Sequence, residues 1–200
     1  MAKKAAKGIS EKDGVTTIGK PETPKAKTTR SQQSTRLPSE RKPVGSSYIG
    51  VDPGGSGAIA AIDEDGLIFA VHKNDATERD VWEFVKDVKA QTKGECFAVI
   101  ERVGAMPGQG VHSMFVFGQS YGFLRGLLIA AEIPFVEVSP AKWQQALGCP
   151  TRGKLSKTQH KNRLKAKAQQ RWPHVKMTLA IADALLLAEY ARRNTAIPGG

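Results

Sequence analysis

The stretch Tyr48–Asp63, YIGVDPGGSGAIAAID, sets one acid, Asp52, inside an apolar strand pattern and follows it at once with a glycine-rich turn and a second apolar strand. An ionised carboxylate in apolar surroundings is strongly disfavoured unless it is paired, hydrogen-bonded or bound to a cation. The turn Pro53-Gly54-Gly55-Ser56-Gly57 tolerates positive φ and lets a backbone approach a ligand closely. Taken alone, the segment also fits a hairpin whose Asp caps its own turn.

The surrounding pattern alternates strand and helix signals. Residues 47–52, 58–62 and 67–71 read as three short strands, the last two joined through Asp63-Glu64-Asp65-Gly66, where Asp-Gly is a strong hairpin dipeptide. Val81, Phe84, Val85 and Val88 recur at helical spacing over 77–88, after a cap at Asp75 or Thr77. The continuous apolar run Cys96–Glu101 marks a strand covered on both faces, and it too ends in an acid. A long helical segment over 113–131, a strand over 135–138 and helices over 157–170 and from 178 or 179 to 193 complete the order β-β-β-α-β-α-β-α-α. That is an α/β layer architecture around a mixed sheet.

Charge narrows the partner class. The net charge is +11 and unevenly placed: residues 1–45 carry eleven Lys/Arg against four acids, and residues 151–171 carry eight and no acid. Such a bias implies a polyanion, nucleic acid first and an anionic membrane surface second. Residues 1–46 lack aromatics and apolar periodicity and read as a disordered basic tail, 47–194 as the folded domain and 195–200 as a flexible end. No apolar stretch approaches a membrane span. Cys96 and Cys149 form no CxxC and imply reduced thiols, hence a cytoplasmic or nucleoid-associated setting, with organellar import left open.

Three acids stand in comparable settings: Asp52 in the first strand, Glu101 at the end of the fourth and Asp183 on the apolar face of the last helix. Each alone has a plain reading, as turn cap, strand-end ion pair with Arg102 or early-turn helix acid. Together they suit shared divalent cations, because hard oxygen donors match Mg²⁺ or Mn²⁺. Two such ions about 4 Å apart clamp a scissile phosphate in hydrolytic sites of this kind.

GVDPGGSGA, the strand ending VIER, GQSYGFLRG, VEVSPAKWQQALG, KTQHKNRLKAKAQQRWP and ADALLLAEY, in this order over 48–193, resemble the RuvC-type Holliday-junction resolvases, particularly their phage and organellar relatives. The resemblance implies an RNase H-like fold. It also implies a homodimer that nicks two opposing strands of a branched, four-way DNA junction with Mg²⁺, leaving 5′-phosphate and 3′-hydroxyl ends. Asp52, Glu101 and Asp183 match the family's acids and become the catalytic and metal-ligating set. Residues 104–109 would lie near the junction centre, and 113–131 would contribute to the dimer. Many members carry an acid or histidine three residues before the final Asp, on the same helical face; here Ala180 stands there. His160 and His174 remain as candidate ligands by elimination.

The acid-free basic segment reads as a phosphate-tracking surface, with Lys154, Lys157, His160, Lys161, Arg163 and Lys165, joined by Arg102, as expected DNA contacts. Trp143 and Trp172 read as packing residues. Phe115, Phe117, Tyr121 and Phe123 read as helix packing, with base stacking as the other possibility. Two competing readings stay open: a junction-binding protein that kept the fold without catalysis, motivated by Ala180, and a nucleotide-binding domain of the actin and sugar-kinase type. The second is disfavoured by an ordered core of roughly 150 residues, about one ordinary domain rather than two lobes.

Overall fold

The computed structural model describes residues 43–194, apart from residues 75, 76, 103, 105–107, 109 and 151. Ten elements follow one another: β1 (Ser47–Asp52), β2 (Ala58–Asp63), β3 (Ile68–Lys73), α1 (Glu78–Gln91), β4 (Cys96–Glu101), α2 (Val111–Ala130), β5 (Phe135–Val138), α3 (Pro140–Ala146), α4 (Lys157–Arg171) and α5 (Leu179–Asn194). The expected order holds with one addition, α3. Its start is written in the sequence: Ser139 caps it through Lys142 N, and Pro140 occupies the first turn, where a missing N–H costs nothing. The expected tail and C-terminal end, residues 1–42 and 195–200, lie outside the described residues. Val44 already bridges to Thr92, so the domain is tied together three residues before β1.

The five strands lie in the order β3-β2-β1-β4-β5. β1 pairs antiparallel with β2 and parallel with β4, and β4 is parallel to β5. The two-residue period of a strand divides the side chains between two layers. Ile49, Val51, Ile59, Ala61, Ala98 and Ile100 pack with α1 and α2 residues such as Val85 and Leu128. Tyr48, Ala58, Ala60, Ile62 and Val99 pack with Trp143, Leu164, Leu185 and Leu187 of α3, α4 and α5. Fully buried leucines such as Leu185 and Leu187 contribute about 1.5–3 kcal/mol each.

Small residues decide how close α5 comes. A Cβ on Gly50 would collide with the carbonyl oxygen of Ala184 and the amide of Ala188. The helix backbone therefore lies directly on the central strand. The far end of the α4–α5 layer is tied to the β2–β3 turn, where Trp172 Nε1 donates to Gly66 O at 2.9 Å and Gly66 adopts φ +79°.

Candidate active site

β1 and β4 are adjacent and parallel, with Val51 opposite Ile100, so their C-terminal residues Asp52 and Glu101 end side by side. In the strand period, positions 48, 50 and 52 and positions 97, 99 and 101 point to the α5 face. α5 meets them there with Asp183, 6% exposed. The three expected acids converge on one end of the sheet.

Their proximity and burial set their electrostatics. Burial pushes the Asp52 carboxyl well above its ordinary value, and Asp183 and Glu101 push it further, against the opposing pull of Lys161. Glu101 is raised by burial and by Asp183, while the Trp143 hydrogen bond and Lys161 hold it down. Asp183 is raised by burial, with Lys161 and His160 acting in the opposite direction. Lys161 Nζ stands 3.1 Å from Asp183 Oδ2. Desolvation would lower its pKa, but the three carboxylates together raise it. One ammonium against three carboxylates leaves negative charge in a desolvated place, and hard oxygen donors with excess negative charge fit a divalent cation. In this conformation no three His, Cys, Asp or Glu side chains among the described residues form a ready-made metal cluster.

The supporting residues were harder to foresee. Trp143 is fully buried and donates from Nε1 to Glu101 Oε2 at 2.8 Å, so the expected packing residue also orients a site carboxylate. The signal was available, since a buried indole N–H needs an acceptor. Asn74 Nδ2 donates to Asp52 O at 2.9 Å and Gly54 O at 3.2 Å. It straps the turn that follows Asp52, and nothing in its own sequence neighbourhood marks it. On the other side of the turn, Gly54 adopts φ +105° and a Cβ there would press on the Phe117 ring. Its amide donates to Ser120 Oγ at 3.3 Å. This glycine admits the α2 side chain Phe117.

The basic residues divide. Lys154, Lys157 and Arg163 are exposed, Lys161 and Lys165 are half-buried, and Arg102 is exposed directly after Glu101. The expected DNA contact fails for His160. It faces the core with Leu164 and Ala168, its Nε2 meets Gln144 Oε1 at 3.1 Å, and a buried ring cannot present itself to a surface phosphate. Of the two histidines considered beside Ala180, His160 acts on Asp183, whereas His174 is exposed. Most of the segment 104–109 lies outside the described residues. Of the four α2 aromatics, Phe117, Tyr121 and Phe123 are half-buried and Phe115 is 64% exposed. Cys96 and Cys149 are both buried and free. Among the described residues no helix is long and apolar enough to cross a membrane.

An antiparallel β1-β2-β3 unit followed by parallel β4 and β5, with helices on both faces, is the RNase H-like fold. Solved structures of RuvC share this fold. Thermus thermophilus RuvC in complex with Holliday junction substrate superposes with a TM-score of 0.50 at 15% identity, covering 72% of this chain and 91% of that one. A second Thermus thermophilus RuvC structure gives 0.49 at 16% identity, covering 72% and 92%. No protein-family model and no curated protein matches the sequence.

Proposed function

We propose that the protein is a metal-dependent, structure-selective DNA endonuclease that resolves four-way and related branched junctions in recombination and repair. Paired symmetric nicks would leave 5′-phosphate and 3′-hydroxyl ends. The observation that carries this reading is the meeting of Asp52, Glu101 and Asp183 at one sheet end, each raised in pKa by burial and facing a single lysine. The fold shared with RuvC supports it.

Asp52, Glu101 and Asp183 would hold Mg²⁺ or Mn²⁺, two ions per site, which supply Lewis acidity towards the phosphate and the attacking water. Trp143 fixes the rotamer of Glu101 through its indole N–H. Asn74 and Ser120 hold the turn beyond Asp52 from two sides. Lys161, paired with Asp183, partly offsets the carboxylates without the cation and would be released to stabilise phosphate charge when the cation binds. Lys154, Lys157, Arg163, Lys165 and Arg102 position the duplex without reading bases.

Paired nicks need two sites, and α2 offers the surface for a second copy. Val111, Phe115 and Ile129 are 85%, 64% and 65% exposed, and Gly118, Gly122 and Gly126 face open space on the same helix. These residues, at spacings of three and four, form one apolar face that admits close helix approach.

The deciding experiment is purified protein on a synthetic four-way junction with and without Mg²⁺. Symmetric nicks that require metal support the enzyme. A shifted but uncut band supports the non-catalytic binder, the reading favoured by Ala180 and by the Lys161 ammonium already seated on Asp183.

A further inference from the structure

The basic surface of α4 does not end at the carboxylate site. Arg163, Lys167 and Arg171 recur every four residues and form a row distinct from Lys157, Lys161 and Lys165. Lys161 meets α5 at Asp183, and Arg171 meets it again at Glu189, with 3.7 Å between Arg171 Nε and Glu189 Oε1. A groove of about 280 Å³ opens at this second meeting, lined by Leu147, Lys167, Gln170, Arg171, Leu186, Glu189 and Arg193.

Glu189 is only 2% exposed, and its carboxylate anchors several guanidinia. Arg193 Nε lies 2.7 Å from Oε1, and Arg192 Nε 2.8 Å from Oε2. Burial alone would raise Glu189, but the Arg192 and Arg193 hydrogen bonds outweigh it and hold the carboxyl below its ordinary value. Arg192 grips both Glu189 oxygens and also reaches the β2–β3 turn, donating from Nη1 to Glu64 O at 3.3 Å, and it does not line the groove. That leaves three cations and one anion among the side chains lining the groove. Arg171 and Arg193 side chains are 42% and 51% exposed. Lys167 Nζ spends one of its three donors on Gly148 O at 3.0 Å. Like charges held together around one buried carboxylate repel each other, and the groove therefore favours an incoming anion.

We propose that this groove binds a phosphodiester of the nucleic-acid backbone, with Lys167, Arg171 and Arg193 as donors and Glu189 as the buried counter-charge that aims the guanidinia. The inference rests on the nuclease reading for its geometry. Ten residue steps of α4 from Lys161 to Arg171 rise about 15 Å, so the groove takes a phosphate other than the one at the carboxylates.

The test is junction binding by the full chain in EDTA, measured by fluorescence anisotropy between 50 and 200 mM salt. Lys167→Gln/Arg193→Gln should weaken binding about tenfold and flatten the slope of log K against log salt by about one to two, as for one or two lost phosphate contacts. Lys167→Gln alone leaves the Glu189 cluster intact and should give about half the slope change, which covers the case of a misfolded double variant. Arg79→Gln/Lys86→Gln on α1, across the sheet, removes the same charge and should leave the slope within experimental error. An unchanged slope in both groove variants, or an equal change in the α1 control, overturns the proposal. Wild-type cleavage in Mg²⁺ is read separately. A protein that binds junctions through this groove without cutting them overturns the nuclease reading and leaves the groove standing.

Discussion

Gly50 of β1 and Ala184 of α5 meet backbone against backbone, with no room for a single methyl group between them. This contact sets the height of α5 above the sheet, and therefore the distance from Asp183 to Asp52. Backbone cannot rotate aside as a side chain can. Gly50→Ala is expected to cost at least about 2 kcal/mol by overpacking, measured by denaturant unfolding. It should also reduce cleavage more than junction binding, because α5 lifts the third carboxylate. Wild-type stability in this variant would refute the close contact.

Asp52→Asn should abolish cleavage and preserve junction binding. It should also stabilise the metal-free protein at pH 8, by about 1 kcal/mol, because it removes a carboxylate that burial and two like charges disfavour. Thermal melts in EDTA together with a cleavage gel check both halves. Full cleavage in Mg²⁺ sinks the assignment.

The pH dependence follows from the same shifts. A carboxyl whose folded pKa is raised binds its proton more tightly when folded, so stability is greatest below its unfolded value and falls as pH rises through the folded one. Asp52, Asp183 and Glu101 all act in this sense, from ordinary values of 3.8, 3.8 and 4.5 upward. Glu189 acts oppositely: its contribution is present above its ordinary 4.5 and is lost as pH falls through its lowered folded value. Metal-free protein should therefore melt lower at pH 8 than at pH 5.5. Mg²⁺ should raise the melting temperature more at pH 8 than at pH 5.5, since stabilisation at 100 times Kd is about 2.7 kcal/mol and carboxyls with raised pKa hold protons that compete with the cation as pH falls. Equal Mg²⁺ effects at both pH values would argue against the carboxylates as ligands.

Trp143→Phe keeps most of the apolar volume and deletes the N–H that meets Glu101 Oε2. Removing a donor from a buried carboxylate costs about 1–3 kcal/mol. The Mg²⁺ concentration for half-maximal cleavage should rise several-fold, because Glu101 loses its fixed orientation and the hydrogen bond that opposes the rise in its pKa. An unchanged metal dependence would reduce Trp143 to packing alone.

Gly122→Arg places a charged side chain where α2 faces open space. The domain should fold with unchanged melting temperature if this face is covered only by a second copy. Sedimentation should shift the species from dimer to monomer, and paired nicking should give way to single nicks. A wild-type monomer at micromolar concentration in the presence of junction would overturn the dimer.

The strands were legible because their cause is local. β1, β4 and β5 begin and end where the apolar pattern places them, and β2, β3 and the long helices differ by one to three residues, as end fraying allows. The helix α3 was legible in Ser139-Pro140 but is too short to show periodicity. All three acids could be picked out because a carboxylate among apolar neighbours is conspicuous in a linear string. Their partners could not. Trp143 is 42 residues from Glu101, Asn74 is 22 from Asp52, and Arg171, Arg192 and Arg193 close on Glu189 from two helices.

By itself, the sequence determined which segments pair and bury, and which three acids require a positive partner, because propensity, periodicity and desolvation act on neighbours along the chain. Only the tertiary structure decided what stands against those acids: Lys161 on Asp183, the indole on Glu101, and His160 turned into the core. Contacts across helices depend on how closely backbones pack, and here that closeness is set by the missing side chain of Gly50.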